Sequence, residues 1–255
     1  MSVSLRHAGA VWRRNFTMYA RSWKLNILPN FFEPVFYLTA LGIGVGSYIT
    51  EMGGMSYLQF LAPGLVCVAA MNGASFEVTY NVFVRLNFEK AYDLMLTAPL
   101  EADDVLLGEL LWALTRVALY GGLFYVATVI FGLAPLPSSL FAVAVIPLAG
   151  LLFAALGLAF TLRVRNIDLF SFYFTLFLTP LFLFSGVFFP LEERLSGVML
   201  WVAEATPLLH PVRLARMAFA GSWAPVALWD LAYITVVTGV LLFDSRRAVR
   251  ARLTG

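Results

Sequence analysis

The sequence predicts an all-α integral membrane protein of six transmembrane helices, and three observations predict it. The 255 residues are 61% hydrophobic and 13% charged, far from the roughly 45–50% apolar and 25% charged usage of soluble domains. Six apolar stretches have membrane length, near 27–49, 57–83, 105–132, 138–162, 168–190 and 223–243, a crossing needing about 20 residues. The basic residues alternate between connections. The first (51–56) and third (133–137) carry neither Lys nor Arg, whereas the second carries Arg85 and Lys90 and the fourth Arg163 and Arg165.

By the positive-inside rule the second and fourth connections face the cytoplasm. Both termini agree: Arg6, Arg13, Arg14, Arg21 and Lys24 precede the first span, and Arg246, Arg247, Arg250 and Arg252 follow the last. The exception is the segment after span five, where Arg194, Arg213 and Arg216 would lie outside, accompanied by Glu192, Glu193 and Glu204.

Residues 1–24 are too polar to cross. Leu5, Ala8, Trp12, Phe16, Tyr19 and Trp23 recur at spacings of three and four, which puts them on one helical face with the five cations opposite. The pattern fits a basic amphipathic helix in the inner membrane interface, carried by Trp12, Arg13, Arg14, Phe16 and Trp23, or a flanking helix whose cations only fix topology. About 25 residues precede the first apolar run, which contains Pro29, Glu33 and Pro34; the N-terminus reads as retained rather than as a cleaved signal peptide.

Within the spans, Glu33, Glu77, Glu109, Arg116 and Asp230 are costly ionisable residues and functional candidates. Counting from the cytoplasmic ends puts Glu33 and Glu77 at similar depth, with Arg116 somewhat deeper, so Arg116 is expected to pair with one of these carboxylates. The pair would neutralise buried charge or receive a polar headgroup. After span two, residues 85–98 combine Arg85, Glu89, Lys90 and Asp93 with Leu86, Phe88, Tyr92, Leu94 and Leu96 at helix-like spacing before Pro99. A short helix there could enter a partner's groove; the alternative is a solvated loop. Residues 191–222, broken by Pro207 and Pro211, form either short helices dipping into the outer leaflet or an extracellular loop. No linker or repeat divides the chain, so 1–255 reads as one membrane domain.

Several chemistries lack their residues. The only lysines, Lys24 and Lys90, stand in no phosphate-binding G-x-x-x-x-G-K-[ST] context, so the chain carries no such ATPase site. With His7 and His210 as the only histidines and Cys67 as the only cysteine, neither a serine–histidine nucleophile nor a zinc site is expected, and Cys67 reads as a packing residue. The sequence assigns no catalytic residue or metal ligand, and a net charge of +2 does not suggest nucleic-acid binding.

Phe32-Glu-Pro-Val-Phe-Tyr-Leu, Leu61-Ala-Pro-Gly, Phe76-Glu-Val-Thr-Tyr, Leu107-Gly-Glu and Leu183-Phe-Ser-Gly-Val-Phe-Phe-Pro190 occur in one order. In that order they resemble the ABC-2 type permeases, most of all the branch of nodulation lipo-oligosaccharide exporters. The resemblance implies an inner-membrane dimer, expected here as a homodimer, served by two separate ATP-binding subunits that hold ATP and Mg. The chain itself would bind no cofactor. The resemblance also implies an interface helix at 1–24, a coupling helix at 85–98, re-entrant helices at 191–222, and an exit-region signature at Ser185, Gly186, Phe188, Phe189 and Pro190. The implied substrate is an amphipathic lipo-oligosaccharide or glycolipid moved outward from the inner leaflet, with drugs or polysaccharides as alternatives. An energy-independent scramblase is the competing class.

Overall fold

The computed structural model describes residues 4–49, 51–191 and 196–254, without the side chains of 25–27, 29–31 and 254. Glu192, Glu193 and Arg194, expected to balance charge after the fifth apolar stretch, lie outside the described residues.

Helix α1 (Leu5–Arg21) turns at Ser22 into α2 (Trp23–Gly44). A two-residue hairpin, β1 (Glu51–Met52) and β2 (Met55–Ser56), follows; its turn requires positive φ twice, at Gly53 (60°) and Gly54 (76°). Ser56 and Gln59 then cap α3 (Tyr57–Phe88) reciprocally. α3 is α-helical to Phe76 and widens into π turns at Glu77–Asn81 and Val84–Phe88. Lys90, at φ 48°, breaks it before the single turn α4 (Ala91–Met95). There follow α5 (Ala102–Ile130), α6 (Ser138–Thr161, opening with a 3₁₀ turn), α7 (Leu169–Phe184), α8 (Val198–Glu204), α9 (Leu209–Ala220) and α10 (Val226–Thr254).

Four helices are long and apolar enough to cross a membrane, Tyr57–Phe88, Ala102–Ile130, Ser138–Thr161 and Val226–Leu253, and two shorter apolar stretches are Phe32–Gly44 and Leu169–Phe184. α3 is the axis, packed on α5, α6 and α9, while α10 covers α6 and α5. Lipid is as apolar as leucine, so burial gives helices little reason to associate and small residues that permit close packing take over. A Cβ at Gly150 of α6 would overlap the side chain of Val117 on α5, and one at Gly157 would overlap Val78 on α3. α7 is held to α3 by rings: Phe174 stacks on Phe76 at 4.5 Å and on Tyr80 at 5.7 Å.

Two expectations are corrected. The segment 85–98 is not one helix: Arg85–Phe88 complete α3, because the apolar run continues through Leu86 and Arg85 finds buried partners, and only Ala91–Met95 form a separate turn. The side of α1 that packs on the protein runs through Ala8, Val11 and Asn15, while Trp12 is half-buried and Leu5, Phe16 and Trp23 are exposed. That face lies on α5, where a Cβ at Gly108 would come within 2.5 Å of Val11 Cβ. The last helix does not stop near 243 but runs to Thr254, so Arg246 and Arg250 lie on it and bind Asp103 of α5, with Nη2–Oδ2 2.6 Å for Arg246. In 191–222, expected as short helices or an extracellular loop, α9 is helical and packs on α3: Cys67 Sγ, ten residues into α3, donates to Pro211 O at 3.3 Å, about 15 Å from the start of α3.

Close packing at Gly150 makes a direct prediction. Gly150→Ala is expected to lower the melting temperature in detergent, at a cost of about 1–3 kcal/mol for overpacking, and Val117→Ala in that background should recover most of the loss by emptying the overlapped volume.

Candidate functional site

Ionisable groups gather at two ends of the bundle. At the end where α1, α4 and the last turns of α10 meet, Arg85 Nη2 donates to Glu77 Oε1 and to Glu109 Oε2, each at 2.7 Å, joining α3 to α5. Arg85 Nε donates to Tyr92 Oη at 3.4 Å, which adds α4. Glu77 Oε2 accepts from Asn81 Nδ2 at 2.8 Å and lies 3.6 Å from Arg116 Nε. Arg116 donates to Tyr120 Oη at 2.9 Å, and its guanidinium lies 4.4 Å from the Tyr19 ring of α1. Two guanidiniums thus face two carboxylates, each carboxylate 2% exposed. Neutrality is what makes such burial tolerable in a low-dielectric interior.

Of the two carboxylates proposed from sequence for Arg116, Glu77 is the neighbour and Glu33 is not. Glu33 lines a separate cavity of about 290 Å3 between α2, α3 and α7, with Tyr37, Asn72, Phe76 and Phe174. Arg85, expected as a partner contact on a coupling helix, is an interior cation bonded to Glu77 and Glu109. Tyr92 is 3% exposed, whereas Phe88, Glu89, Lys90, Asp93 and Leu94 are exposed and Leu86 and Leu96 are half-buried.

The start of α5 is tied to α1 as well. Asp104 accepts from Ser4 N at 2.7 Å and His7 Nδ1 at 3.2 Å, Trp12 Nε1 donates to Thr115 Oγ1 at 2.9 Å, and Arg14 Nη2 donates to Glu89 at 3.2 Å. Arg13 is exposed.

The opposite end carries a second charged cluster, of which sequence reading identified only Asp230 as an interior charge. His210 Nδ1 lies 2.8 Å from Asp230 Oδ1 and Nε2 lies 2.9 Å from Glu204 O. Arg213 bridges the same residues, Nε to Asp230 Oδ2 at 2.9 Å and Nη1 to Glu204 Oε1 at 2.6 Å. The hydrogen bond from Arg213 holds the Glu204 carboxyl below its usual range. Tyr233 stacks on His210 at 3.7 Å and donates to Ala205 O at 2.7 Å. α8, α9 and α10 are locked together by these bonds. Histidine and arginine three residues apart on α9 could have flagged this face.

Ser185-Gly186-Val187-Phe188-Phe189-Pro190 closes α7 at this end. Gly186 takes φ 78°, its carbonyl accepts from Arg216 at 2.8 Å, Ser185 and Val187 are buried, and Phe188 meets Phe182 at 4.8 Å. Phe189 and Pro190 are half-buried. Among the described residues no group of three His, Cys, Asp or Glu is placed to hold a metal ion.

The model of the ABC-2 type transporter family matches residues 6–220. Among curated proteins, the chain is 35% identical over 244 residues to nodulation protein J of Rhizobium leguminosarum bv. trifolii, covering 96% of this chain and 93% of the relative. It is 37% identical over 209 residues to nodulation protein J of Sinorhizobium fredii, covering 82% and 79%. It is 25% identical over 212 residues to the inner membrane transport permease YadH of Escherichia coli, covering 83% and 82%.

The Arg85 cluster is tested by taking it apart. Arg85→Met strands two buried carboxylates and should cost about 3–5 kcal/mol, read as a fall in thermal stability of the solubilised protein. Adding Glu109→Gln leaves Glu77 with Arg116 and should recover a substantial part; an additive loss would contradict the shared network.

Proposed function

The chain belongs to the ABC-2 type transporter family, and we propose that it is the six-span permease subunit of an exporter driven by a separate ATP-binding subunit. The family makes it a membrane subunit of a transporter, not itself an enzyme. In this reading α2, α3, α5, α6, α7 and α10 cross the membrane, and the arginine-rich end, with both termini, faces the cytoplasm. α8 and α9 re-enter from outside. Two copies of the chain assemble with two ATP-binding subunits, which hold ATP and Mg, in the inner membrane.

The observation that carries the coupling is the α4 turn. It projects exposed Leu94 (69%) beside Asp93, next to Phe88 (66%) exposed at the end of α3, while buried Tyr92 ties it to Arg85. Exposed apolar side chains at the end of a rigid helix suit a groove on a partner, and closure of ATP-bound partners would be delivered through Tyr92 to α3 and α5.

The substrate in this reading is an amphipathic glycolipid or lipo-oligosaccharide, moved outward from the inner leaflet. Its support is the extended likeness to proteins called nodulation protein J. The cavity holding Glu33, Tyr37 and Asn72 among aromatic rings offers polar and apolar surface to such a molecule.

Co-purification from native membranes tests the assignment. An ATP-binding protein is expected to accompany the tagged chain, and Leu94→Asp should reduce its recovery by about tenfold or more, the loss of one buried apolar anchor, without changing the melting temperature of the chain. Lipid movement that persists without ATP and without a partner would identify a scramblase instead.

A further inference from the structure

A second cavity, of about 200 Å3, lies beneath the α1–α2 elbow, between α1, α3 and α5. It is smaller than the roughly 300 Å3 at which pockets for drug-sized molecules begin, so it suits one ring-sized unit.

Its walls are unlike a lipid-facing groove. Arg14, Asn15, Tyr19, Glu77, Arg85 and Glu89 supply most of the polar lining, and Trp112 closes the floor at 2% exposure. The charges cancel in place, Arg14 on Glu89 at 3.2 Å and Arg85 on Glu77 at 2.7 Å. A site for a phosphate would present uncompensated cations, and this one does not.

One buried polar atom in the lining, Asn15 Nδ2, has no hydrogen-bond partner among the described residues. Asn15, 3% exposed, stands on the packing face of α1, where Ala8 and Val11 lie. An apolar residue there would cost nothing, whereas a buried amide with an unmade bond costs about 1–3 kcal/mol. Its retention suits a ligand that completes the bond. The mouth is open and amphipathic: Met18, Ser22 and Asn81 are exposed, and Phe16 and Trp23 are exposed nearby.

We propose that this cavity is a headgroup subsite, taking one uncharged, hydroxyl-rich ring, a sugar unit of an amphiphile whose tails stay in the leaflet beside Met18 and Trp23. Interleaved donors and acceptors with aromatic rings match sugar hydroxyls and ring faces, and neutral walls discriminate against phospholipid phosphate. The site rests on the permease reading for its orientation toward the inner leaflet. It would seat the substrate against the Arg85 cluster before transport, since Glu77 and Arg85 belong to both.

The test uses the full chain with its ATP-binding partner in living cells. Met18→p-benzoylphenylalanine, at the mouth, is irradiated after growth on tritiated sugar precursors or on radiolabelled phosphate, with Thr17→p-benzoylphenylalanine as the exposed neighbour outside the cavity. The Met18 position should yield a lipid-extractable adduct rich in sugar label, several-fold above the Thr17 position. Tyr19→Phe, which keeps the ring, and Asn15→Leu should each lower it by about tenfold, the effect of one lost hydrogen bond, with adduct normalised to chain in the membrane. Phosphate label without sugar label would make the site an ordinary phospholipid contact and overturn the proposal. Equal sugar label at both positions, or none, would overturn it too. ATP-dependent export measured in the same cells judges the transporter reading separately: export with no Met18 adduct removes this subsite alone.

Discussion

A guanidinium inside a bilayer is tolerable only where carboxylates and hydroxyls replace the water it has lost. Arg85 meets that condition with Glu77 from its own helix, Glu109 from α5 and Tyr92 from α4. Each partner comes from a place the chain must first bring within hydrogen-bond distance, so the ion cluster dictates how α3, α4 and α5 sit. Arg116 extends it to α1 through Tyr19. Much of the arginine-rich end of the molecule therefore depends on a single charge balance.

At the other end the same constraint is met with different chemistry. His210 meets Asp230 Oδ1 and Glu204 O through its two ring nitrogens, and Arg213 donates from three nitrogens to Asp230 and Glu204. These bonds hold α9 against α10, while Cys67 of α3 donates to Pro211 O of α9. Neither cluster gains its stability from attraction alone, since desolvation consumes most of the Coulomb energy; what each supplies is a unique arrangement of helices that lipid-facing leucine and phenylalanine cannot specify.

The apolar stretches, the amphipathic first helix and the absence of a phosphate loop were legible in the sequence because each depends on composition or period. The charge clusters were not, because an arginine at the end of an apolar run reads equally as a topology signal and as an interior partner. Arg85 took the second role when π turns carried α3 past Val84, and no periodicity encodes a π turn. Counting depth along helices left Glu33 and Glu77 both open as neighbours of Arg116; Glu77 stands beside it, while Glu33 lines another cavity with Tyr37 of α2. Asn15 was passed over because the face of α1 was centred on its aromatic residues, and the small residues Ala8 and Val11 are what α5 accepts at Gly108.

The junction at Lys90 bears on how a push at α4 would travel. Its left-handed backbone ends α3 abruptly, so α4 can tilt about that point without unwinding the span. Tyr92 prevents a free tilt: its ring is buried and its hydroxyl is bonded to Arg85 at 3.4 Å, the longest of the guanidinium's hydrogen bonds, while the two carboxylates hold Arg85 at 2.7 Å. Displacing α4 by itself would expose an aromatic side chain and break its hydrogen bond to Arg85. Displacing α4 with α3 and α5 as one body breaks none of the three. In the transporter reading, the second motion is the cheaper one, and because α1 is bonded to α5 through Thr115 and Asp104, the interface helix and the cavity beneath its elbow would move with it.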